Sequence, residues 1–298
     1  MHDSGGAQGR GNGNALSIKD LGRMIQAHYE ANGQKSADRM AQAILHLERY
    51  YRSRPALEAA RRFADYASSR LHDGAARGTV QRERSALRLG LRLAWERGRI
   101  RAIPPIARLR VKNDRRGFFA PEEFWKVHRE LRDPVNDVAL FAYITGWRRG
   151  EILTLRWSQV DIEAGVIRLD PGTTKNGDAR LFPFGAHKLL ANLVARRWAK
   201  RQGIFVFHRA GREVRSIRKE WKRACEKAGV GNRLLHDLRR TAGRDMVRAG
   251  VPQATVMKLM GHKTPAMFIR YAIQDESDLR AGVEKLSELH EATRGGDS

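Results

Sequence analysis

The stretch Thr145-Gly146-Trp147-Arg148-Arg149-Gly150-Glu151 is the point from which this chain is best read. Gly146 permits a tight turn, Arg148 stands at the entrance of a helix, and Glu151 lies three residues on, where a carboxylate can orient the guanidinium. Further along come Thr173-Thr174-Lys175-Asn176-Gly177-Asp178, Leu235-His236-Asp237-Leu238-Arg239-Arg240 and the run from Leu259 to Ala272, LMGHKTPAMFIRYA, which holds His262 and Tyr271. His236 and Arg239 stand at i and i+3 and so share one helical face, although Arg240 is an equal candidate for the functional guanidinium. Taken singly, each feature has an ordinary explanation: a surface ion pair, a solvated lysine in a turn, a histidine at a helix end, a rim tyrosine. Taken together, they are chemically complementary. Two guanidiniums grip the non-bridging oxygens of a phosphodiester, an ammonium and imidazoles move protons, and a phenol attacks phosphorus.

Composition points to the same class of partner. The 298 residues include 57 Lys plus Arg against 33 Asp plus Glu, a formal net charge of +24. That surplus suits a polyanion, with nucleic acid first among candidates. An anionic membrane surface is the weaker alternative, because neither an amphipathic anchor nor a lipidation signal is present. No apolar run reaches the roughly 18 residues needed to span a bilayer, and no signal-peptide core follows Met1, so a cytoplasmic, nucleoid-associated protein is expected. The single cysteine, Cys225, excludes an intramolecular disulfide framework.

The organisation expected from periodicity is a mainly α protein with a small β element. Residues 1–16 are Gly- and Asn-rich and read as a disordered tail. Residues 17–102 read as a bundle of four helices, with apolar positions such as Leu21, Met24, Ile25 and Tyr29 at three- and four-residue spacing. Its arginines include Arg61, Arg62, Arg70, Arg82, Arg84, Arg88, Arg92, Arg97, Arg99 and Arg101, and the Thr79 to Arg101 segment has few matching acids. These are expected to contact phosphate. Residues 103–117, with prolines and a run of basic residues, read as a linker. A mixed α+β domain is expected over 118–286. Its helices are Pro121–Leu131, Arg215–Ala228, His236–Ala249, Pro252–Met260, Pro265–Tyr271 and Glu276–Leu289, with Val138–Thr145 a further apolar run. Its strands Gly165–Leu169 and Leu181–Phe184 flank a loop that places Lys175 at a hairpin tip. Ile204–Phe207 reads as a strand or a buried connector, and residues 287–298 as a tail.

At the residues quoted above the chain resembles the tyrosine recombinases, the phage-integrase family. The family pattern is an Arg in a T-G-x-R-x-x-E turn, a Lys on a β-hairpin, H-x-L-R, G-H, and a Tyr about nine residues after the second His. Arg148, Lys175, His236 with Arg239, Gly261 with His262, and Tyr271 match it, and the resemblance spans about Phe118 to Leu286. The basic helix containing TVQRERSALR resembles the family's helical core-binding domain more loosely. Arg149 and Phe268 depart from the commoner residue types without removing a reactive group.

The resemblance implies a site-specific recombinase or integrase acting on double-stranded DNA sites as a homotetramer, with accessory DNA-bending proteins as candidate partners and with neither metal nor ATP. Tyr271 is then the nucleophile and forms a 3′-phosphotyrosine. Arg148 and Arg239 stabilise charge on phosphorus, Lys175 is the general acid, His236 the general base or relay, and His262 a hydrogen-bond partner of the phosphate, with Glu151 in support. The helix after the tyrosine is expected to dock on a neighbouring protomer. Two other readings stay open at this stage: a type IB topoisomerase-like nicking-closing enzyme, and a DNA-binding regulator that does not cut.

Overall fold

The computed structural model describes residues 15–33, 36–110, 117–171, 179–269 and 276–294, arranged as two compact units, Met1–Asp114 and Arg115–Ser298. The first unit is helical: α1 (Ile18–Ala31), α2 (Ala37–Tyr51), α3 (Ala56–Arg61), α4 (Phe63–His72) and α5 (Arg77–Glu96). α1 opens with a capping box, in which the Ser17 hydroxyl accepts from the Asp20 amide and the Asp20 carboxylate accepts from the Ser17 amide. Its face Ile18, Leu21, Ile25 packs with Ile44 and Leu47 of α2 and Leu87 and Leu91 of α5 in one apolar core. Five helices stand where periodicity predicts four, because the chain bends at Arg62. Tyr51 Oη donates to the Arg62 carbonyl at 3.1 Å, and the helical bond from Tyr66 N to that carbonyl is stretched to 3.4 Å. Arg62 is thus the last cap of α3, its N–H on Glu58 O, and the first of α4, its carbonyl taken by Tyr66 N.

Three other expectations for this unit are corrected. Leu16, assigned to the disordered tail, is buried and its carbonyl accepts from Ala56 N. The segment after α5 is not a free tether at its start, since Ile106 is buried in the bundle core and Ile103 and Leu109 pack against it. Arg84 and Arg70 are unsuited to phosphate contact. Arg84 is buried with its guanidinium on the carbonyls of Ile106 and Ala107. Arg70 pairs at 3.0 Å with Glu83, a buried carboxylate that also accepts from Tyr66 Oη. Arg82, Arg88, Arg92, Arg97 and Arg99 remain exposed.

The second unit is mainly helical around small antiparallel sheets. In order come α6 (Pro121–Arg129), α7 (Val135–Thr145), α8 (Arg149–Leu153), β1 (Val160–Asp161), β2 (Val166–Leu169), β3 (Arg180–Phe182), α9 (Lys188–Ala199), β4 (His208–Arg209), β5 (Arg212–Glu213), α10 (Arg218–Lys227), α11 (Leu235–Arg248), α12 (Gln253–Met260), α13 (Pro265–Ile269) and α14 (Glu276–Arg294). β1, β2 and β3 form one sheet, with Ile167 opposite Phe182 and Leu169 opposite Arg180. α7 is apolar on nearly every face and sits in the middle of the core, against α8, α9 and α11. Residues 204–207 prove to be a connector that is buried only in its second half: Ile204 is exposed, Val206 and Phe207 are inaccessible, and Arg156 and Phe205 form an isolated bridge. α14 continues past Leu289 to Arg294, so residues 287–294 are helical rather than a tail. Ser287 Oγ donates to Glu291 one turn on.

Candidate active site

Arg148 is the residue before α8, in extended conformation, and the Glu151 carboxylate caps its N–H. The Glu151 carboxylate accepts from the Arg148 backbone N–H at 3.1 Å and from its Nη1 at 2.9 Å. The same Glu fixes both where the helix starts and where the guanidinium points. Gly146, at φ +64°, ends α7 in the left-handed region and turns the chain towards Arg148.

α11 presents the second cation in the same way. Asp237 accepts from Leu234 N at 2.8 Å and sets the first turn, which brings His236 and Arg239 to one side. Arg239 is 2% exposed, and its Nη1 donates to the carbonyls of Gly146 at 2.5 Å and Met260 at 2.8 Å. Arg240 is half-buried. Of the two arginines the sequence left open, Arg239 is the one that joins the loop of Arg148 to that of His262.

The third element is the end of α12. Gly261 is left-handed at φ +67°, with His262 N donating to Met257 O and Gly261 N to Lys258 O, the paired bonds of a Schellman ending. Three carbonyls at this terminus accept from side chains. Trp147 Nε1 donates to Leu259 O at 3.0 Å, Arg239 to Met260 O, and Arg148 Nη2 to Gly261 O at 3.3 Å. Cations at the negative end of a helix are favourably placed. His262 follows directly, 7% exposed and within the field of both guanidiniums.

A residue that the sequence reading missed completes the cluster. Arg180 of β3 is buried and bonds Glu151 from the other side, Nη1 to Oε2 at 2.9 Å, with its guanidinium 5.1 Å from the Trp147 ring centroid. A Cβ built at Gly261 overlaps this guanidinium. Gly261→Ala is accordingly expected to cost about 3 kcal/mol, from left-handed backbone strain plus displacement of Arg180. Urea unfolding checks this; a loss under about 1 kcal/mol would show that the packing yields.

Burial first, then the charges of Arg239, Arg148 and Arg180, hold the His262 imidazolium down to a pKa of about 3. His236 is shifted the same way by desolvation, then by Arg239 and Arg240, although its outer surface is open to solvent. Both imidazoles are thus neutral near pH 7 in the folded chain. Unfolded histidine titrates near 6.5, so between there and about pH 3 the unfolded state binds more protons. The stability these groups contribute is fully present above about pH 6.5 and is lost as pH falls. We expect stability to drop by at most about 1.4 kcal/mol per pH unit per imidazole. Replacing His262 by Asn should flatten that slope, and urea melts at pH 7.5 and 5 would show it.

Glu151 is pushed up by burial but pulled further down by its bonds to Arg180 and Arg148, so it stays ionised. Beside the cluster runs an open groove lined by Trp147, Arg148, Arg149, Arg218, Trp221 and His236. Arg149 is exposed there, and Phe268 is buried with Val256 and Met260, which accounts for both departures from the commoner pattern. Among the described residues no cluster of His, Cys, Asp and Glu has the arrangement of a metal site. Lys175 and Tyr271 lie outside the described residues, Lys175 in the connection between β2 and β3 and Tyr271 beyond α13.

Comparison with known proteins decides the family. The model of the phage integrase family matches residues 129–277, half of the chain, including all seven residues singled out above. The chain belongs to the phage integrase family. The integrase of Salmonella phage P22 is 30% identical over 179 residues, a match that covers 54% of this chain and 44% of that protein's length. The tyrosine recombinase XerC of Lactobacillus leichmannii is 30% identical over 207 residues, covering 63% of this chain and 69% of XerC. A lambda integrase tetramer bound to a Holliday junction superposes with a TM-score of 0.72 at 19% identity, over 88% of this chain and 80% of that one. The integrase fold is therefore shared well beyond recognisable sequence identity. Among the described residues no helix is long and apolar enough to cross a membrane.

Proposed function

We propose that this chain is a site-specific DNA recombinase that cuts and rejoins duplex DNA through a 3′-phosphotyrosine on Tyr271. The observation that carries this reading is the convergence of Arg148, Arg239, His236 and His262, from three separate elements, around the end of α12. Arg180 adds a third guanidinium: Arg148 and Arg180 pair with one carboxylate, Glu151, while Arg239 is held by backbone carbonyls, so guanidiniums outnumber that carboxylate beside neutral imidazoles. A phosphodiester carries one negative charge and its pentacoordinate transition state two, so this field favours the transition state over bound DNA.

In this mechanism Arg148 and Arg239 hold the non-bridging oxygens, and the Tyr271 oxygen attacks phosphorus while the bond to the 5′ oxygen breaks. His236, neutral and open to solvent, takes the phenolic proton, Lys175 delivers one to the departing 5′ oxygen, and His262 hydrogen-bonds the phosphate. The phosphoester energy is kept in the covalent link, so a 5′-hydroxyl of another strand can reverse the step without ATP. The exposed cations of α5 and of the groove give the duplex backbone its non-specific hold. The lambda integrase that shares this fold is a tetramer on a Holliday junction, and Val283 and Leu286 of α14 are exposed here. Both support assembly of four protomers on DNA.

The test is covalent trapping. Nicked suicide duplexes drawn from the DNA that flanks the gene are incubated with the protein, and a denaturation-resistant adduct is expected. Salt-sensitive binding with no adduct on any of them would replace this reading with that of a non-cutting DNA-binding protein.

A further inference from the structure

Arg180 is a buried charged side chain of the site that neither the family pattern quoted above nor the mechanism uses. Its side chain is 4% exposed, and removing a guanidinium from water costs several kcal/mol unless it is paired. Its partner is Glu151, which already holds Arg148. If Arg148 and Glu151 were alone, the pair would be neutral, and at the phosphate the carboxylate would cancel most of the field of the guanidinium. With Arg180 bound to the far side of the same carboxylate, at 2.9 and 3.5 Å, the trio carries one net positive charge. The enclosure is built to keep Arg180 there: the Trp147 indole lies against its guanidinium, Leu169 pairs its backbone, and Gly261 leaves the space. A carboxylate can then orient Arg148 without neutralising it.

We propose that Arg180 is a positioning residue of the strand-cutting site, satisfying the buried Glu151 carboxylate so that the charge of Arg148 remains available to the phosphodiester. This rests on the reading that Arg148 and Arg239 act on phosphate during DNA cleavage.

The experiment measures single-turnover cleavage of a nicked suicide duplex by the full chain and by Arg180→Lys, Arg180→Met, Glu151→Gln and the Arg180→Met/Glu151→Gln double variant, with rates referred to the folded fraction. Arg180→Met is expected to cleave about 100-fold more slowly while its duplex affinity changes only a few-fold, the pattern of a lost transition-state interaction. Arg180→Lys should recover at least about 10-fold of that, because charge is the operative property. The double variant should be faster than Arg180→Met, because the uncompensated carboxylate has gone with its partner. A merely structural role predicts the reverse ordering, with each added substitution slower. A duplex with a bridging 5′-sulfur, whose leaving group needs no general acid, should not rescue Arg180→Met. Rescue would assign the defect to Lys175 and overturn the proposal, as would wild-type cleavage by Arg180→Met or a double variant no faster than the single. If Arg180→Met fails to fold, Arg180→Lys and the double variant carry the comparison. Absence of any adduct with the unsubstituted chain would instead sink the strand-cutting reading, and this one with it.

Discussion

Tyr271→Phe should form no covalent adduct with a nicked suicide duplex, while binding that duplex within about three-fold of the unsubstituted chain. The change removes one oxygen. A phenol has a pKa near 10 and is a poor nucleophile at pH 7, so on the proposed mechanism its reactivity depends on Arg148, Arg239 and His236, which the substitution leaves in place. Those groups remain able to grip the phosphate but have nothing to drive against it. Cleavage should fall by at least about four orders of magnitude, below detection on a denaturing gel. An adduct that persists in Tyr271→Phe would mean that another side chain attacks, and the assignment of the nucleophile would be wrong.

Arg239→Ala should be the next most damaging change, and in two separate ways. Its guanidinium donates to the carbonyls of Gly146 and Met260 from a site 2% exposed, so truncation leaves two acceptors without a donor and a cavity between two loops. A stability loss of about 3 kcal/mol is expected from the orphaned carbonyls. The loss of a charged donor at the transition state should lower single-turnover cleavage by about 1,000-fold or more, even per folded molecule. Arg240→Ala is the control. Its side chain does not bridge those loops, and less than about a 10-fold effect is expected. Equal effects at 239 and 240 would show that the two residues share the role.

The candidate cluster of Arg148, Glu151, His236 and Arg239 was legible in the sequence because such groups are scarce and their local motifs are short. Arg148 with Glu151, and His236 with Arg239, are joined within one helical turn, and a spacing of three suffices to find them. Arg180 was not legible by that route, since Glu151 lies 29 residues away and a β-strand arginine beside a leucine looks like an edge. One signal was present: with a period of two, Arg180 shares a face with Phe182, and Phe182 is buried. Helix α8, five residues long, offers too few turns for periodicity, and α9 begins at His187 with none of the usual Ser, Thr, Asp or Asn caps. The bend at Arg62 was hidden because no Gly or Pro marks it, and the Tyr51 hydroxyl that bonds the Arg62 carbonyl lies 11 residues away on another helix. Expectations for Lys175 at a hairpin tip and for a helix running through Tyr271 fall partly outside the described residues.

Two of the three side-chain bonds to the end of α12 span 112 and 113 positions of the chain, and the bond from Arg239 to Gly146 spans 93. A nascent or clipped chain can hold the helices of the first unit, and even Arg148 with its glutamate, without possessing a phosphate grip. Contacts of such separation close late in folding. On the proposed function, an incomplete molecule would keep arginines that hold DNA while lacking the assembled site that cuts it.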